Sequence, residues 1–505
     1  MRFRWSAHSI IACMDSMPVE IYPVAAIREI DRKAIENEGI PGYTLMKRAG
    51  EAALQAAVTR YPGAKRWQVI CGSGNNGGDG YVVARLAAAQ GIVVTVIALT
   101  DPESLQGDAA TAYGDFAADG GVVLAWSGEL DVDSELIVDA ILGSGLERDV
   151  EGEFAEVVEA TNKHGAPVLS LDIPSGLHGD TGAVLGCAIN ADLTVTFVGL
   201  KQGMFVGDGA EYVGDLLYAG LEIPESCRDQ SAALLTRIAT RCIDELLPRR
   251  PRDSHKGNFG HVLVIGGGPG MPGAVRLCGE AALRTGAGRV SIATDATHAA
   301  SIVASRPELM SHGIATPDEL DALIAKTDVV AFGPGLGQSK WALAIYKRVA
   351  AEDRPSVWDA DALNLLAKQG GSAANRVITP HPGEASSLLD SSTAAVQADR
   401  ISALHALHDR FGGVVVLKGA GSLVSSSRGL PRICTAGNPG MAAPGMGDVL
   451  TGIIAALMAQ GIDPEQAAFV GVQAHALAGD LAAASGERGL IASDLLAELR
   501  AVLNP

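Results

Sequence analysis

What this chain has little of sets the first limits. Aromatic residues make up 4% of its 505 residues and charged residues 19%, while 48% are hydrophobic, so the apolar mass is mostly small and aliphatic. That balance excludes a disordered chain, which has few apolar residues and many charges. No block of Lys or Arg occurs, and 39 basic against 58 acidic residues give a formal net charge of −19. A nucleic-acid surface is excluded by that sign, and any phosphate must be held by backbone N–H groups, a few cationic side chains and metal ions. The seven cysteines (13, 71, 187, 227, 242, 278 and 434) form no CxxC pair. Reduced thiols and a cytoplasmic home are therefore expected. No run reaches about 18 continuous apolar residues, so no membrane span is expected. The apolar run at 10–13 is too short for a signal-peptide core, and residues 1–22 are read as an N-terminal extension.

What is abundant is glycine, 61 residues in all, and its most informative cluster is GNPGMAAPGMGDVLTG at 437–452. A glycine-rich turn runs into Asp448 and then into an apolar helix. Backbone N–H groups freed by glycine converge on an anion, the helix start adds partial positive charge, and an aspartate there can take a proton from an attacking hydroxyl. A turn merely capped by Asp448 is the plainer alternative.

A chain this long needs more than one core. Short apolar runs at 68–71, 93–99, 136–140, 168–172 and 193–197 alternate with helical patterns at 79–90, 108–119 and 154–164. The alternation restarts with strands at 261–265, 289–293, 329–332, 356–359, 376–379 and 414–418. Helices are expected at 272–284, 340–350, 397–411, 449–458, 464–484 and 493–502. Both halves read as α/β with parallel sheets covered on two faces. The first domain is placed at 23–225, Rossmann-like and doubly wound, and the second at 231–505, an α/β/α sandwich, with the boundary near 225–231.

In the first half a strand enters Gly72-Ser73-Gly74-Asn75-Asn76-Gly77-Gly78-Asp79-Gly80, read as an anion-binding loop before a helix. Gly72, Gly74 and Gly77 have the G-x-G-x-x-G spacing, but the doubled Asn is not the usual fingerprint, and ordinary dinucleotide binding in the oxidoreductase manner is disfavoured. Asp139 and Asp172 close two later strands, where strand-end carboxylates converge on one crevice or simply cap turns. In the second half Lys418, Gly419, Ala420, Gly421 and Ser422 form a cationic glycine turn, suited to a nucleotide or else a hairpin with a solvated Lys. His381 stands between two prolines. Glu384 either organises Mg2+ through water or is a helix N-terminal charge. Asp359 and Asp361 flank a strand end and either line a cleft or cap a helix.

The motifs GNNGGDG, D-A-x-x-G-x-G-L (from Asp139), D-I-P-S-G-L (from Asp172) and TVTFVGLKQG (194–203) resemble the epimerase domain of the NAD(P)H-hydrate repair enzymes. The stretch from about 232 onward is similar to their ribokinase-like dehydratase domain. There the matching motifs are GGGPGMPGA (266–274), PELM (307–310), GPGLG (333–337), DADALN (359–364), TPHPGE (379–384), KGAGS (418–422) and the Asp448 loop. The resemblance implies a substrate, NAD(P)HX, that is a reduced nicotinamide hydrated at C6. Its R and S epimers would be interconverted by the first domain, and the S epimer would be dehydrated by the second with ADP or ATP.

By the same resemblance, the epimerase substrate is held by Asn75, Asn76, Gly77, Gly78, Asp79, Gly143, Ser144, Gly145, Leu146, Glu147, Arg148, Asp149 and Asp172. Asn76, Asp139 and Ser175 match potassium ligands, and Asp172 is favoured as the acid/base. In the dehydratase, Ala274, Gly335, His381 and Asp448 face the substrate. Lys418, Gly419, Ala420, Gly421, Ser422 and Gly447 hold the nucleotide, with Mg2+. Asp448 is the expected catalytic base. Pro444 removes one N–H donor from the loop, and those of Gly445–Gly447 are expected to suffice. A homo-oligomer is expected. A ribokinase-like small-molecule kinase with an accessory ligand-binding domain is the alternative.

Overall fold

A computed structural model describes residues 17–228, 232–427 and 429–504. Most of the expected N-terminal extension (1–16), Cys13 and part of the expected boundary (229–231) lie outside those residues. The chain divides into two compact units, Met17–Thr236 and Arg237–Pro505. The first unit runs on to Thr236 because Leu235 and Thr236 pair antiparallel with Ile21 and Glu20.

Seven strands build the sheet of the first unit: β1 (Arg66–Cys71), β2 (Val93–Ala98), β3 (Val122–Ala125), β4 (Leu136–Ala140), β5 (Val168–Leu171), β6 (Leu193–Phe197) and β7 (Asp215–Ala219). Their order is β3-β2-β1-β4-β5-β6-β7, all parallel. The order reverses between β1 and β4, which opens a crevice at the carboxyl ends of those two strands. β4 is buried at every position, and its continuous apolar run fits a strand covered on both faces. β3 was not expected: it is a short, mostly exposed edge strand, apolar in sequence but not buried.

The GNNGGDG segment is not a loop. Helix Asn75–Ala89 begins four residues before the expected position, from Gly74 in extended conformation. The glycines allow this close docking: a Cβ on Gly77 would stand 2.1 Å from the carbonyl of Gly72, and one on Gly80 would stand 2.5 Å from Cβ of Ala140. Helices Val24–Glu36 and Gly42–Arg60, which were not expected, line the crevice.

The second unit has β8 (His261–Ile265), β9 (Arg289–Asp295), β10 (Met310–Ile314), β11 (Val329–Phe332), β12 (Ser356–Trp358), β13 (Arg376–Ile378) and β14 (Val414–Leu417). They lie parallel in the order β10-β9-β8-β11-β12-β13-β14, continued by the short antiparallel strands β15 (Leu423–Val424) and β16 (Arg432–Ile433). Helix Met446–Ala459 is buried on nearly all sides, as its apolar composition demands. It docks on helix Pro272–Thr285 so closely that a Cβ on Gly452 would stand 2.1 Å from the carbonyl of Cys278. The segment Pro464–Ser485 is long and apolar enough to cross a membrane, but 72% of it is buried inside the protein, as in a core helix. The six described cysteines are all free.

Candidate active sites

The crevice of the first unit is a cavity of about 670 Å³. Asp139 lies beneath it, fully buried at the end of β4. Its carboxylate accepts hydrogen bonds from Ser175 Oγ (2.6 Å), Ser170 Oγ (2.8 Å), Ser175 N (2.9 Å) and Ile141 N (3.2 Å). Burial pushes its pKa up, and those bonds pull it back. Ser175 Oγ also accepts from Leu142 N at 2.8 Å, and Asn76 Nδ2 donates to the Leu142 carbonyl at 3.0 Å. Asn76 Oδ1 is left buried without a hydrogen-bond partner. An orphaned amide oxygen beside a serine hydroxyl, with a buried carboxylate just behind, suits a hard cation.

Asp172 follows β5 with a positive φ of 67°, an uncommon conformation for a residue other than glycine. One carboxylate oxygen accepts from Ser144 N at 3.2 Å. The other is ion-paired with Lys201, whose side chain is fully buried. Lys201 also donates to Thr196 Oγ1 and to the Phe197 carbonyl, each at 2.8 Å. Lys201 is held there because Leu200–Lys201 pairs with strand Glu20–Tyr22. Asn75, Asp79 and the residues from Gly143 to Arg148 also line the cavity. Gly77 and Gly78 are buried in the helix start, and the exposed Asp149 is not among the lining residues. Burial, with Asp172 and Asp31 nearby, raises the Asp79 carboxyl well above its ordinary range. The sequence reading missed Asp31, Asp108 and Lys201. A lysine closing the apolar run VTFVGLK was the available signal for the last of these.

In the second unit the motifs gather at the carboxyl ends of neighbouring strands. Asp359 follows β12 and is buried, with Lys418, the first residue after β14, donating to it at 2.6 Å. Burial works against the charge of Asp359, but Lys418 and a bond from Thr379 prevail and hold it below the usual range. Lys418 is thus not solvated, although its turn joins β14 to β15 as a hairpin. Gly447 sits directly on this pair: a Cβ there would be 3.0 Å from Asp359 Oδ2 and 3.1 Å from Lys418 Nζ. The next residue, Asp448, lies in the first turn of its helix, which starts from Gly445 in the left-handed conformation. Burial first, then Asp359, pushes its carboxyl up to about 7, with Lys418 opposing.

His381 caps helix Pro382–Leu388, its Nδ1 accepting from Gly383 N (3.0 Å) and Glu384 N (3.3 Å). Burial and Lys418 lower its pKa, so the ring is neutral with its proton on Nε2. Glu384 accepts from His381 N at 2.8 Å and faces Lys418 at 3.8 Å, and burial raises its carboxyl to about 7. It closes a capping box through that oxygen, as the helix N-terminal reading expects. Among the described residues no group of three or more His, Cys, Asp or Glu is placed to hold a metal. Mg2+ held by one or two carboxylates together with a nucleotide's phosphates needs no such group.

Gly335 has a φ of +56°, and a Cβ there would be 3.0 Å from Cβ of Ala274, so these two expected substrate residues adjoin. Asp361 accepts from Gly337 N at 2.8 Å and fixes the neighbouring loop. Gly419 and Ala420 are exposed, and Ser422 Oγ donates to the Gly419 carbonyl at 3.0 Å. Arg400 was missed by sequence reading. Buried, it donates to the carbonyls of Gly421 (3.1 Å), Leu417 (3.2 Å) and Lys418 (3.3 Å), stapling the turn from behind.

Comparison with known proteins agrees with this two-site arrangement. Residues 262–500 match the family described as NAD(P)H-hydrate dehydratase, and residues 42–203 match the YjeF-related protein N-terminus. A bifunctional NAD(P)H-hydrate repair enzyme from Coxiella burnetii is 45% identical over 96% of this chain and 99% of its own. The enzyme of that name from Escherichia coli is 44% identical over 97% of this chain and 95% of its own. Among solved structures, the hypothetical protein SMU.573 from Streptococcus mutans superposes with a TM-score of 0.50 at 27% identity, covering 53% of this chain and 98% of that one. An ADP/ATP-dependent NAD(P)H-hydrate dehydratase from Bacillus subtilis, co-crystallised with ATP and Mg2+, has a TM-score of 0.49 at 29% identity, covering 52% and 95%. With an epimerase-type unit and a ribokinase-like dehydratase unit in one polypeptide, the chain belongs to the family of bifunctional NAD(P)H-hydrate repair enzymes.

Proposed function

We propose that the two sites carry out consecutive steps of one repair, with Asp172 working in the epimerase and Asp448 in the dehydratase. The observation that carries the dehydratase assignment is Asp448 itself: a carboxyl poised at about 7, at a helix start, next to the buried Lys418–Asp359 pair. Asp448 takes the proton of the C6 hydroxyl as that oxygen attacks the terminal phosphorus of the nucleotide. ADP then leaves as AMP. The C6–O bond breaks with its electron pair departing on phosphate, N1 supplies the electrons that expel it, and loss of a C5 proton restores the reduced nicotinamide. N–H groups at the start of helix Met446–Ala459 have no intrahelical partner and are available to the transferring phosphoryl. We favour ADP over ATP, and any Mg2+ enters with the nucleotide's phosphates.

In the epimerase, potassium would be held by Asn76 Oδ1 and Ser175 Oγ, with the charge of Asp139 supporting them. When bound it supplies a fixed positive charge near the substrate. Six free cysteines support a reducing, cytoplasmic location. The exposed Val122 and Leu124 on edge strand β3 are consistent with a homo-oligomer.

The test is absorbance of the reduced nicotinamide, starting from mixed R/S NADHX and ADP in potassium buffer. Complete recovery of NADH is expected. With potassium replaced by tetramethylammonium, rapid recovery of the S fraction alone is expected. Accumulation of a stable phosphorylated alcohol without NADH would point to the kinase alternative instead.

The pH dependence follows from Asp448. Its carboxyl is raised, so below about 7 it is mostly protonated and unable to accept the substrate proton. Dehydration kcat/KM should fall about tenfold per pH unit below that point and level off above it. A flat profile between about pH 5.5 and 8.5 would remove Asp448 as the base.

A further inference from the structure

Opening and re-closing a hydrated ring at C6 requires two proton-handling groups at once. One takes the hydroxyl proton while the other supplies a proton to the departing nitrogen. The sequence favours Asp172 over Asp139 as acid/base without separating them, and gives Asp79 only to substrate binding. The cavity brings both carboxyls to one wall, in different surroundings. Asp172 is ion-paired with a buried lysine and accepts an N–H from Ser144 on its other oxygen. The three protons of Lys201 are spent on Asp172, Thr196 Oγ1 and the Phe197 carbonyl, so the lysine serves no purpose toward the cavity other than to hold Asp172. Asp79 has no such cation. It lies in the first turns of helix Asn75–Ala89 against Cys71, with Asp31 and Asp172 facing it.

We propose that the epimerase uses a divided pair, Asp172 ionised as base and Asp79 protonated as acid, and that Lys201 is the positioning residue that enforces the division. This rests on the epimerase reading of the first unit. In the forward step the Asp172 carboxylate takes the C6 hydroxyl proton, the C6 carbonyl forms, and the C6–N1 bond breaks with its electron pair going to N1. The Asp79 carboxyl delivers its proton to N1. Rotation about C5–C6 presents the other face of the carbonyl. N1 then attacks C6, its proton returns to Asp79, and the new oxyanion recovers the proton held by Asp172. No proton or electron is gained or lost over the cycle.

The charges around Asp79 support this division. Burial, then Asp172 and Asp31, disfavour its ionisation, and Lys201 opposes them only partly. Asp31 is itself raised by burial and by Asp172, with Asp108 adding to the effect, so the cluster has more carboxyls than one lysine can balance. A carboxyl ion-paired with a lysine beside one that burial keeps neutral fits the general pattern of an acid–base pair at neutral pH. Arg28 approaches the same wall near Gly145, on the side of the Ser144 loop.

The experiment is the pH profile of R-to-S interconversion in the full-length enzyme, with dehydration of S-NADHX by the same chain as the control for folding. The unsubstituted enzyme should show a bell-shaped profile. Asp79→Asn should lose at least 100-fold in epimerisation and its alkaline limb, with dehydration of S-NADHX unchanged. Lys201→Met should move the acidic limb upward, because Asp172 loses its cation, and Lys201→Arg should restore part of the shift. Full epimerisation with an unaltered profile in Asp79→Asn, or an unmoved acidic limb in a folded Lys201→Met, would overturn the division of roles. Failure of the epimerase reading is a separate result: no acceleration of R-to-S interconversion by the unsubstituted enzyme at any pH.

Discussion

Asp448→Asn is expected to lower NADH formation from S-NADHX and ADP by about 10²–10⁴-fold, the range for loss of a positioned general base. R-to-S interconversion by the same preparation should be unaffected, because Asp172, Lys201 and Asp79 lie in the other compact unit. Asparagine keeps the size of the side chain and its place in the first helical turn, so the loss reports on proton transfer rather than on folding. It also removes an elevated carboxyl from beside Asp359, which disfavours the ionised form of Asp448. The variant should therefore lose the rise of rate through pH 7 together with the rate. Retention of both would transfer the base role to another group. Epimerisation falling in parallel would mean that the two sites are not separable.

The second large effect belongs to Lys418→Met. Lys418 and Asp359 are a buried pair, with side-chain exposures of 17% and 2%. Removing one member of such a pair leaves an uncompensated buried charge, which costs about 3–5 kcal/mol. The loss should appear as a lowered denaturation midpoint of the full chain, followed by the disappearance of dehydratase activity. The sign with pH is also set. Burial already opposes the charge of Asp359, and Lys418 is what holds its carboxyl below the ordinary range. Without Lys418 its folded pKa must rise above the unfolded value. Stability contributed by the protonated form is then present at low pH and lost as pH rises, so the variant should be weakest relative to the parent above neutrality. The Lys418→Met/Asp359→Asn double variant should recover much of the loss, since neither member of that pair is then left charged without its partner. A single variant as stable as the parent at pH 8 would show that the pair is dispensable.

The parallel strands were legible because they are fully buried and therefore nearly continuous apolar runs. β4, β6, β8 and β11 fall where the pattern placed them. Edge strands β3 and β10 were not expected: β3 is a four-residue apolar run that lies mostly exposed, and β10 carries no such run. The GNNGGDG segment was misread as a loop because helix propensity penalises glycine, whereas here glycine is demanded by contact with Gly72 and Ala140. The helix expected at 397–411 starts at Arg400, residues 397 and 398 ending the separate helix Thr393–Ala398, and the Asp399 cap between them is a local hydrogen bond that periodicity does not register.

For the sites, residue types and their order along the chain were enough to name the candidate carboxyls, the glycine turns and the family. These depend on short segments whose chemistry is carried by neighbours in sequence. Pairing was not available in that way. That Lys201 serves Asp172, that Lys418 serves Asp359 rather than solvent, and that Glu384 closes its own helix cap follow from strand order and burial. Those contacts join residues 29 and 59 positions apart in two of the three cases. The sequence alone thus determined which groups the protein possesses. The tertiary structure decided which of them are charged, because ionisation in a dry interior depends on the partner that folding brings within a hydrogen bond.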